Sequence, residues 1–357
     1  MERSNPEPLT CTSVEVRYGS VRAVAGADLS VEAGEIVAIL GRSGSGKTTL
    51  LRAIAGFERV TAGEIRIGGR VIESPTVSVP AHRRSVGLVF QEYALFPNKT
   101  VAGNIAYGLG RGSHGRVEEL LRLGRLEGLG GRLPHELSGG QQQRVAVLRS
   151  LAPNPSVLLL DEPFSNLDAE LRADMRDDVA TILREAGTTT LLVTHDRADA
   201  MAVADRIAVI EDGRVIEVAT PEALYWRPSF GAAAYGGDAQ FIDGIATGAT
   251  VETDLGRLAL AHPLEGPCTV LVRPEWIAPQ GIGEDATVLS RRFEGAIVRL
   301  RLRLPSGREL AATMASSAHA EAGAVVTVGV PGHVPGYLLG EGRSSQSVSE
   351  MNAPAHR

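Results

Sequence analysis

Gly41-Arg42-Ser43-Gly44-Ser45-Gly46-Lys47-Thr48 decides the fold of this chain. The pattern, G-x-x-x-x-G-K-S/T, is that of a loop that wraps a polyphosphate. Its glycines let backbone N–H groups turn inward, Lys47 brings a compact charge to the β/γ-phosphates, and Thr48 offers a hydroxyl to Mg2+. Of 36 Lys+Arg residues only Lys47 and Lys99 are lysines. An ammonium stands where the planar fork of arginine is too wide.

The flanks fit that reading. Glu35 to Leu40 (EIVAIL) predicts a short buried strand, and Lys47 to Ala55 a helix whose Leu50, Leu51 and Ile54 face the sheet, with Gly56 placed to end it. Strand, glycine loop and helix in that order set the phosphates at a helix N-terminus, where the dipole favours anions.

The chain has 357 residues, room for two domains, and its 43% hydrophobic content suits a soluble protein with a proper core. No apolar run approaches the roughly 18 to 20 residues needed to span a bilayer. The N-terminal MERSNPEPLT lacks an apolar signal segment. Cys11 and Cys268 are too far apart in sequence to suggest a metal motif or a disulfide framework, so a reducing cytoplasm is expected. A formal charge of −6 argues against a general nucleic-acid surface.

Up to about Tyr235, buried-strand runs alternate with helical stretches, the pattern of a mainly parallel sheet covered by helices. A Gly/Ala/Pro-rich stretch at Arg227–Asp238 marks the expected boundary. From about Gln240 to Leu339 the period becomes two. Val298 to Leu304 alternates apolar residues with Arg299, Arg301 and Arg303, and Pro305-Ser306-Gly307 turns it into an antiparallel hairpin. The polar stretch from Gly340 to Arg357 is expected to be disordered.

Ser156 to Glu162 (SVLLLDE) predicts a strand buried on both faces, with Asp161 and Glu162 at its C-terminal end. Ligands bind at that edge of an open parallel sheet. Asp161 is placed to hold Mg2+ through its water shell, and Glu162 to polarise the attacking water. A further strand, Thr190 to Val193, ends in Thr194-His195-Asp196, so Lys47, Asp161/Glu162 and His195 are expected at one edge, where convergent polar groups point to function.

Leu137-Ser138-Gly139-Gly140-Gln141, continued as Gln142-Gln143-Arg144, narrows the field. Ser138 and Gln141 form a capping box opening a helix to about Leu151. The glycine pair and the glutamine run go beyond a cap, and the stretch resembles the signature sequence of the ATP-binding cassette (ABC) family. The resemblance covers about Thr12 to Tyr235. It implies an α/β P-loop ATPase domain (about 10–237) with a helical subdomain (about 92–152), binding ATP and Mg2+.

Residue by residue, it implies that Gly41, Arg42, Ser43, Gly44, Ser45, Gly46, Lys47, Thr48 and Thr49 hold the phosphates. Tyr18 resembles the aromatic that stacks on adenine. Gln91 resembles the glutamine that reaches Mg2+ and the attacking water while hinging the helical subdomain. Thr48, Gln91 and Asp161 would then serve the metal, and Glu162, His195 and Gln91 the hydrolytic step. Ser165 to Asp168 resembles the loop passing nucleotide status across a dimer interface, with Asn166 in place of the usual alanine. Cassettes of this kind act as head-to-tail dimers, so Ser138, Gly139, Gly140, Gln141 and Asp168 would meet the ATP held by a second copy.

Condensing and repair ATPases insert long coiled coils between P-loop and signature. Here roughly ninety residues intervene without sustained heptads. Ribosome-acting members carry two cassettes, and this chain has one. A separate motor subunit docking on membrane partners remains. Tyr93 to Pro97 (YALFP) reads either as core of the helical subdomain or as part of a cleft for a permease helix. Val270 to Glu275 (VLVRPE) resembles the opening of the small OB-like regulatory domain (240–339) of one importer branch. No aromatics interleave its arginine stripe, which argues against strand binding and for a solvated or domain-facing stripe.

Within that branch Leu51–Glu58, Asn104–Gly110 and Thr194–Arg197 look like ferric-iron importer ATPases. Polyamine, sulfate, molybdate and quaternary-amine importers share much of this wording, and Asn98 replaces a histidine common after the Leu-Phe-Pro element. The resemblance implies two permease subunits or a permease dimer and an exported solute-binding protein as partners. It also implies a peripheral position on the cytoplasmic face of the inner membrane.

Overall fold

The computed structural model describes residues 6–110, 113–165, 169–317 and 320–338, with backbone alone for 169–171 and 279–282. Asn166, Asp168 and the 340–357 tail lie outside the described residues. The chain falls into two compact units, Met1–Pro221 and Glu222–Arg357.

Ile36–Leu40 is buried at all five positions, as a strand covered on both faces requires. It pairs in parallel with Thr189–Thr194 on one side and Arg206–Glu211 on the other. Beyond Thr189–Thr194 come Val157–Asp161 and then Val86–Val89, also parallel. Arg214–Ala219 closes the opposite edge, antiparallel. Register decides what meets at the C-terminal edge: Leu40 lies beside Thr194, and Asp161 beside Val193.

The sequence pattern led us to expect one sheet here, and the structure has two. Leu9–Tyr18 and Val21–Val31 form an antiparallel hairpin turning at Gly19, extended by Ala62–Ile67 and Arg70–Glu73. Three irregularities in the hairpin register break its period of two, and that hid it from the sequence. Lys47–Ala55 packs between the sheets in one core: Leu50, Leu51 and Ile54 meet Val14, Val16 and Ile65 from one and Leu159 and Leu191 from the other. Full burial of each such aliphatic side chain stabilises by about 1.5–3 kcal/mol. Gly56 ends the helix at φ 92°, as expected.

That helix end is also held by a buried cation. Arg84 donates to Ala53 O (2.8 Å), Ile54 O (3.1 Å) and Val79 O (2.6 Å), and pairs with Glu73. Both side chains are buried, and Ser78 donates to the same carboxylate at 2.8 Å. Positive charge at a helix C-terminus complements the dipole. Arg84→Met leaves the buried Glu73 carboxylate with Ser78 and the exposed Arg59, whose Nε lies 3.3 Å away, and is expected to destabilise the first unit by about 3 kcal/mol, read as a fall in its urea midpoint.

Short helices, Val101–Ile105, His114–Leu123 and Gly139–Leu151, follow Gln91 and form the helical subdomain. Among the described residues no helix is long and apolar enough to cross a membrane.

The second unit is all-β. Gln240–Thr253 and Gly256–Val272 form a long hairpin joined by His333–Val334 and Gly336–Leu338. A second sheet runs Glu309–Ala315, Ile297–Arg303, Ala278–Glu294, Val325–Gly329. Ile297–Arg303 and Glu309–Ala315 are the expected hairpin, with Val298, Leu300 and Leu302 buried. Arg299, Arg301 and Arg303 are exposed and paired with Glu294, Asp238 and Glu309.

The boundary between the two units falls at 221/222, ahead of the Arg227–Asp238 stretch. The reason is Arg273, fully buried within the second unit. It donates to Tyr225 O, Ala233 O and Asp238 O, and its guanidinium lies over the rings of Tyr225 and Trp276. Trp226 stacks on Trp276. The short helices before residue 238 therefore pack with the β-sheets that follow them.

Candidate nucleotide site

The phosphate loop leaves Ile36–Leu40 at the C-terminal edge of the parallel sheet and enters the Lys47–Ala55 helix. It is clamped by backbone. Gly213 N donates to Ser45 O at 3.0 Å, and Ala25 N to Gly213 O at 2.8 Å. A Cβ on Gly46, whose φ is 100°, would stand 2.3 Å from Ala23 O, so no other residue fits there. Lys47 is 6% exposed and its ammonium donates to Gly41 O (2.8 Å) and Arg42 O (2.9 Å). Burial pulls its pKa down, while the carboxylates of Glu162 and Asp161 push it back up.

Thr48 donates its hydroxyl to Asp161 at 3.3 Å. Burial raises the Asp161 pKa, opposed by the Thr48 hydrogen bond and by the charges of Arg52 and Lys47. Glu162 follows with φ 45°, a left-handed conformation that β-strand continuation forbids, and its N–H donates to Val193 O at 2.9 Å. Such strain concentrates at functional sites. It turns the carboxylate to His195, whose Nδ1 lies 3.1 Å from Glu162 Oε1.

The structure thus brings Lys47, Thr48, Asp161, Glu162 and His195 together. Tyr18 closes its strand half-exposed, beside Thr49, Arg52 and Glu58, with its phenol pKa raised by desolvation and by Glu58. Gln91 is exposed just past Val86–Val89. The turn after it is strained: Tyr93 and Ala94 have φ 57° and 46°. Arg149 holds that turn, donating to Tyr93 O (2.9 Å) and Ala94 O (2.7 Å).

Ser138 and Gln141 make the expected reciprocal box: Gln141 N donates to Ser138 Oγ at 3.3 Å, and Ser138 N to Gln141 Oε1 at 3.0 Å. Among the described residues they make no hydrogen bond to the phosphate loop of their own chain. Tyr93 to Pro97 divides between the two readings. Tyr93 is core, whereas Phe96 is half-buried against the exposed Tyr107, ring centroids 4.2 Å apart.

The site can receive a triphosphate. Ser45 Oγ is buried without a hydrogen-bond partner at the loop, and a Cβ on Gly44 would meet nothing within 4 Å, so the loop has room there. No cluster of three metal-ligating His, Cys, Asp or Glu occurs among the described residues. The Thr48 hydroxyl, the Asp161 carboxylate and the Gln91 amide are a hard oxygen donor set of the kind that holds Mg2+ with waters and substrate phosphates. Sequence reading missed the clamp from Ala23 and Gly213: Asp212-Gly213 signals a turn, but not that the turn packs on the phosphate loop.

Residues 24–165 match the ABC transporter family and residues 270–334 the TOBE domain. An Fe(3+) ions import ATP-binding protein of Mesorhizobium japonicum is 47% identical over 266 residues, 73% of this chain and 74% of that protein. A sulfate/thiosulfate import ATP-binding protein of Caulobacter vibrioides is 41% identical over 335 residues, 90% and 97% of the two chains. Among solved structures, a dimeric ATP-binding cassette in a post-hydrolysis state bound to ADP and Pi is similar at TM-score 0.50. It shares 31% identity and covers 59% of this chain and 98% of its own. The chain belongs to the ABC transporter ATPases and carries a TOBE domain after its cassette.

Proposed function

We propose that this chain is the ATP-hydrolysing motor of an import system, most closely suited to ferric iron. The observation that carries the ATPase reading is the convergence of Lys47, Thr48, Asp161, Glu162 and His195 from three neighbouring strands. Lys47 exchanges its two loop carbonyls for the β/γ-phosphates of ATP. Thr48, Asp161 and Gln91 would hold Mg2+, which when bound would supply charge neutralisation on the phosphates. Glu162 polarises the attacking water, and His195, whose Nδ1 lies 3.1 Å from its carboxylate, orients the γ-phosphate side of the site. Tyr18 stacks on the adenine.

The motor works as a head-to-tail pair, each ATP held between Lys47 of one copy and Ser138–Gln141 of the other. The exposed helix N-terminus at Ser138 and the dimeric cassettes of similar fold support this. The Phe96/Tyr107 patch fits an anchor from a permease subunit, which would hold the motor on the cytoplasmic face of the membrane and couple it to an exported solute-binding protein.

Iron rests on likeness to Fe(3+) import ATP-binding proteins, one of them from Pseudomonas fluorescens at 46% identity over 74% of this chain. Sulfate is the second reading, favoured by the longer match to the Caulobacter protein. The test reconstitutes the motor with its permease and compares ATPase stimulation by binding protein loaded with iron, sulfate, polyamine or betaine. Iron is expected to stimulate. Stimulation by another solute and not iron overturns the cargo, and stimulation by DNA or ribosomes without permease association overturns transport.

A further inference from the structure

The helix Ala169–Ala186 carries two polar faces that the proposed mechanism does not use. Arg172 and Arg176, four apart, share one face, and Met175 and Asp178, three apart, share another. The second face meets the Gly139–Leu151 helix. Arg144 pairs with Asp178 at 3.2 Å, and a Cβ on Gly140 would stand 2.3 Å from Met175 Sδ. The N-terminal turn behind Ser138 therefore rests against Met175 and Asp178 of this helix.

The first face meets the His195 loop. Arg176 Nε donates to Asp199 Oδ1 at 2.5 Å, and Arg172 Nη1 to Asp196 Oδ2 at 3.0 Å. Those two aspartates follow the histidine in the chain and tie back to Thr194, the residue before it. Thr194 donates its hydroxyl to Asp199 Oδ2 at 3.2 Å and accepts from Asp196 N at 3.0 Å. Asp199 and Thr194 are 3% and 2% exposed, so the pairing with Arg176 is what makes the buried carboxylate tolerable. Packed elements joined this way move as one body.

We propose that the Ala169–Ala186 helix is a relay, with Asp178, Arg176 and Asp199 as positioning residues. Closure of Ser138–Gln141 on the nucleotide of a second copy is carried through it to His195 of the same chain. Each copy's hydrolytic histidine is then set by the site that copy completes for its partner. The inference rests on the head-to-tail reading above.

The test measures turnover of the purified full chain against MgATP for Asp199→Asn, Asp199→Glu and Asp178→Asn, with each change also placed in a Glu162→Gln background. The expected result is a kcat lower by between about ten- and a hundredfold for both Asn variants, from displacement of a catalytic group by a fraction of an ångström. Their Hill coefficient falls from its parental value, at most about 2 for two sites, to about 1. KM and the MgATP-trapped dimer of the Glu162→Gln background persist, and Asp199→Glu recovers kcat and cooperativity.

If kcat and the Hill coefficient stay at parental values while the dimer still forms, the relay is overturned and the two-site reading stands. A kcat loss with unchanged cooperativity, or a parent that traps a dimer yet shows no cooperativity, also overturns it. If Glu162→Gln alone traps no dimer, the head-to-tail reading falls and the relay falls with it. Asp178, a quarter exposed at its side chain, keeps the test open should Asp199→Asn not fold.

Discussion

Lys47→Ala is expected to lose ATP affinity and turnover together, with turnover down by at least about 10²–10³. The ammonium is the buried cation of the loop, and nothing else there replaces its charge: Arg42 contributes its backbone carbonyl to Lys47 and Ser45 a neutral hydroxyl. Lys47→Arg should be nearly as damaging. The space between Gly41 O and Arg42 O holds a single nitrogen at 2.8 and 2.9 Å, and a planar guanidinium cannot enter without opening the loop. Nucleotide binding by a fluorescent ATP analogue, with phosphate release in a clean preparation, checks both variants. Wild-type turnover by the alanine variant would remove the phosphate-loop assignment.

Glu162→Gln separates binding from chemistry. The amide keeps the size of the carboxylate and its reach to His195, but it accepts no proton from water, a loss on the order of 10²–10⁴ in rate. Lys47, Thr48 and Asp161 are untouched, so ATP stays bound and the two copies stay closed. Size exclusion in MgATP should show a dimer for this variant and a monomer for the wild type. Adding Ser138→Arg places bulk and charge at the capped helix N-terminus, where the second copy's γ-phosphate is proposed to sit, and the dimer should vanish. A monomer throughout with ATP bound would mean that each chain hydrolyses alone.

The parts of this protein legible from sequence are those whose cause is local. The Lys47–Ala55 helix came out with its bounds and its αL glycine because strand, loop and cap are read within twenty residues. The box from Ser138 to Gln141 is likewise a four-residue device. What escaped was set at a distance. Glu162 turns to φ 45° at the end of its strand while its N–H still pairs with Val193 on the neighbouring strand, a partner no window of sequence contains. Asn104, read only as part of a family-like stretch, is fully buried and pins Phe96 and Lys99 through its amide. Arg84 looked like one more of many arginines, and Arg273 was read only as part of the VLVRPE stretch. Their roles come from carbonyls at helix ends up to 48 residues away.

Arg273 bears on how such a protein can be recombined. Its guanidinium is satisfied by carbonyls at Tyr225, Ala233 and Asp238, all upstream of the β-sheets, so the material between residues 222 and 238 belongs to the downstream module in everything but appearance. A gene fusion or natural exchange joined at residue 238 would inherit the arginine without its acceptors, leaving a charge sealed among Trp276 and its neighbours. A junction placed before Tyr225 carries arginine and acceptors together. Modular inheritance of this C-terminal half therefore favours a seam before Tyr225, near the end of the cassette's last strand, over one in the glycine-rich stretch that resembles a linker.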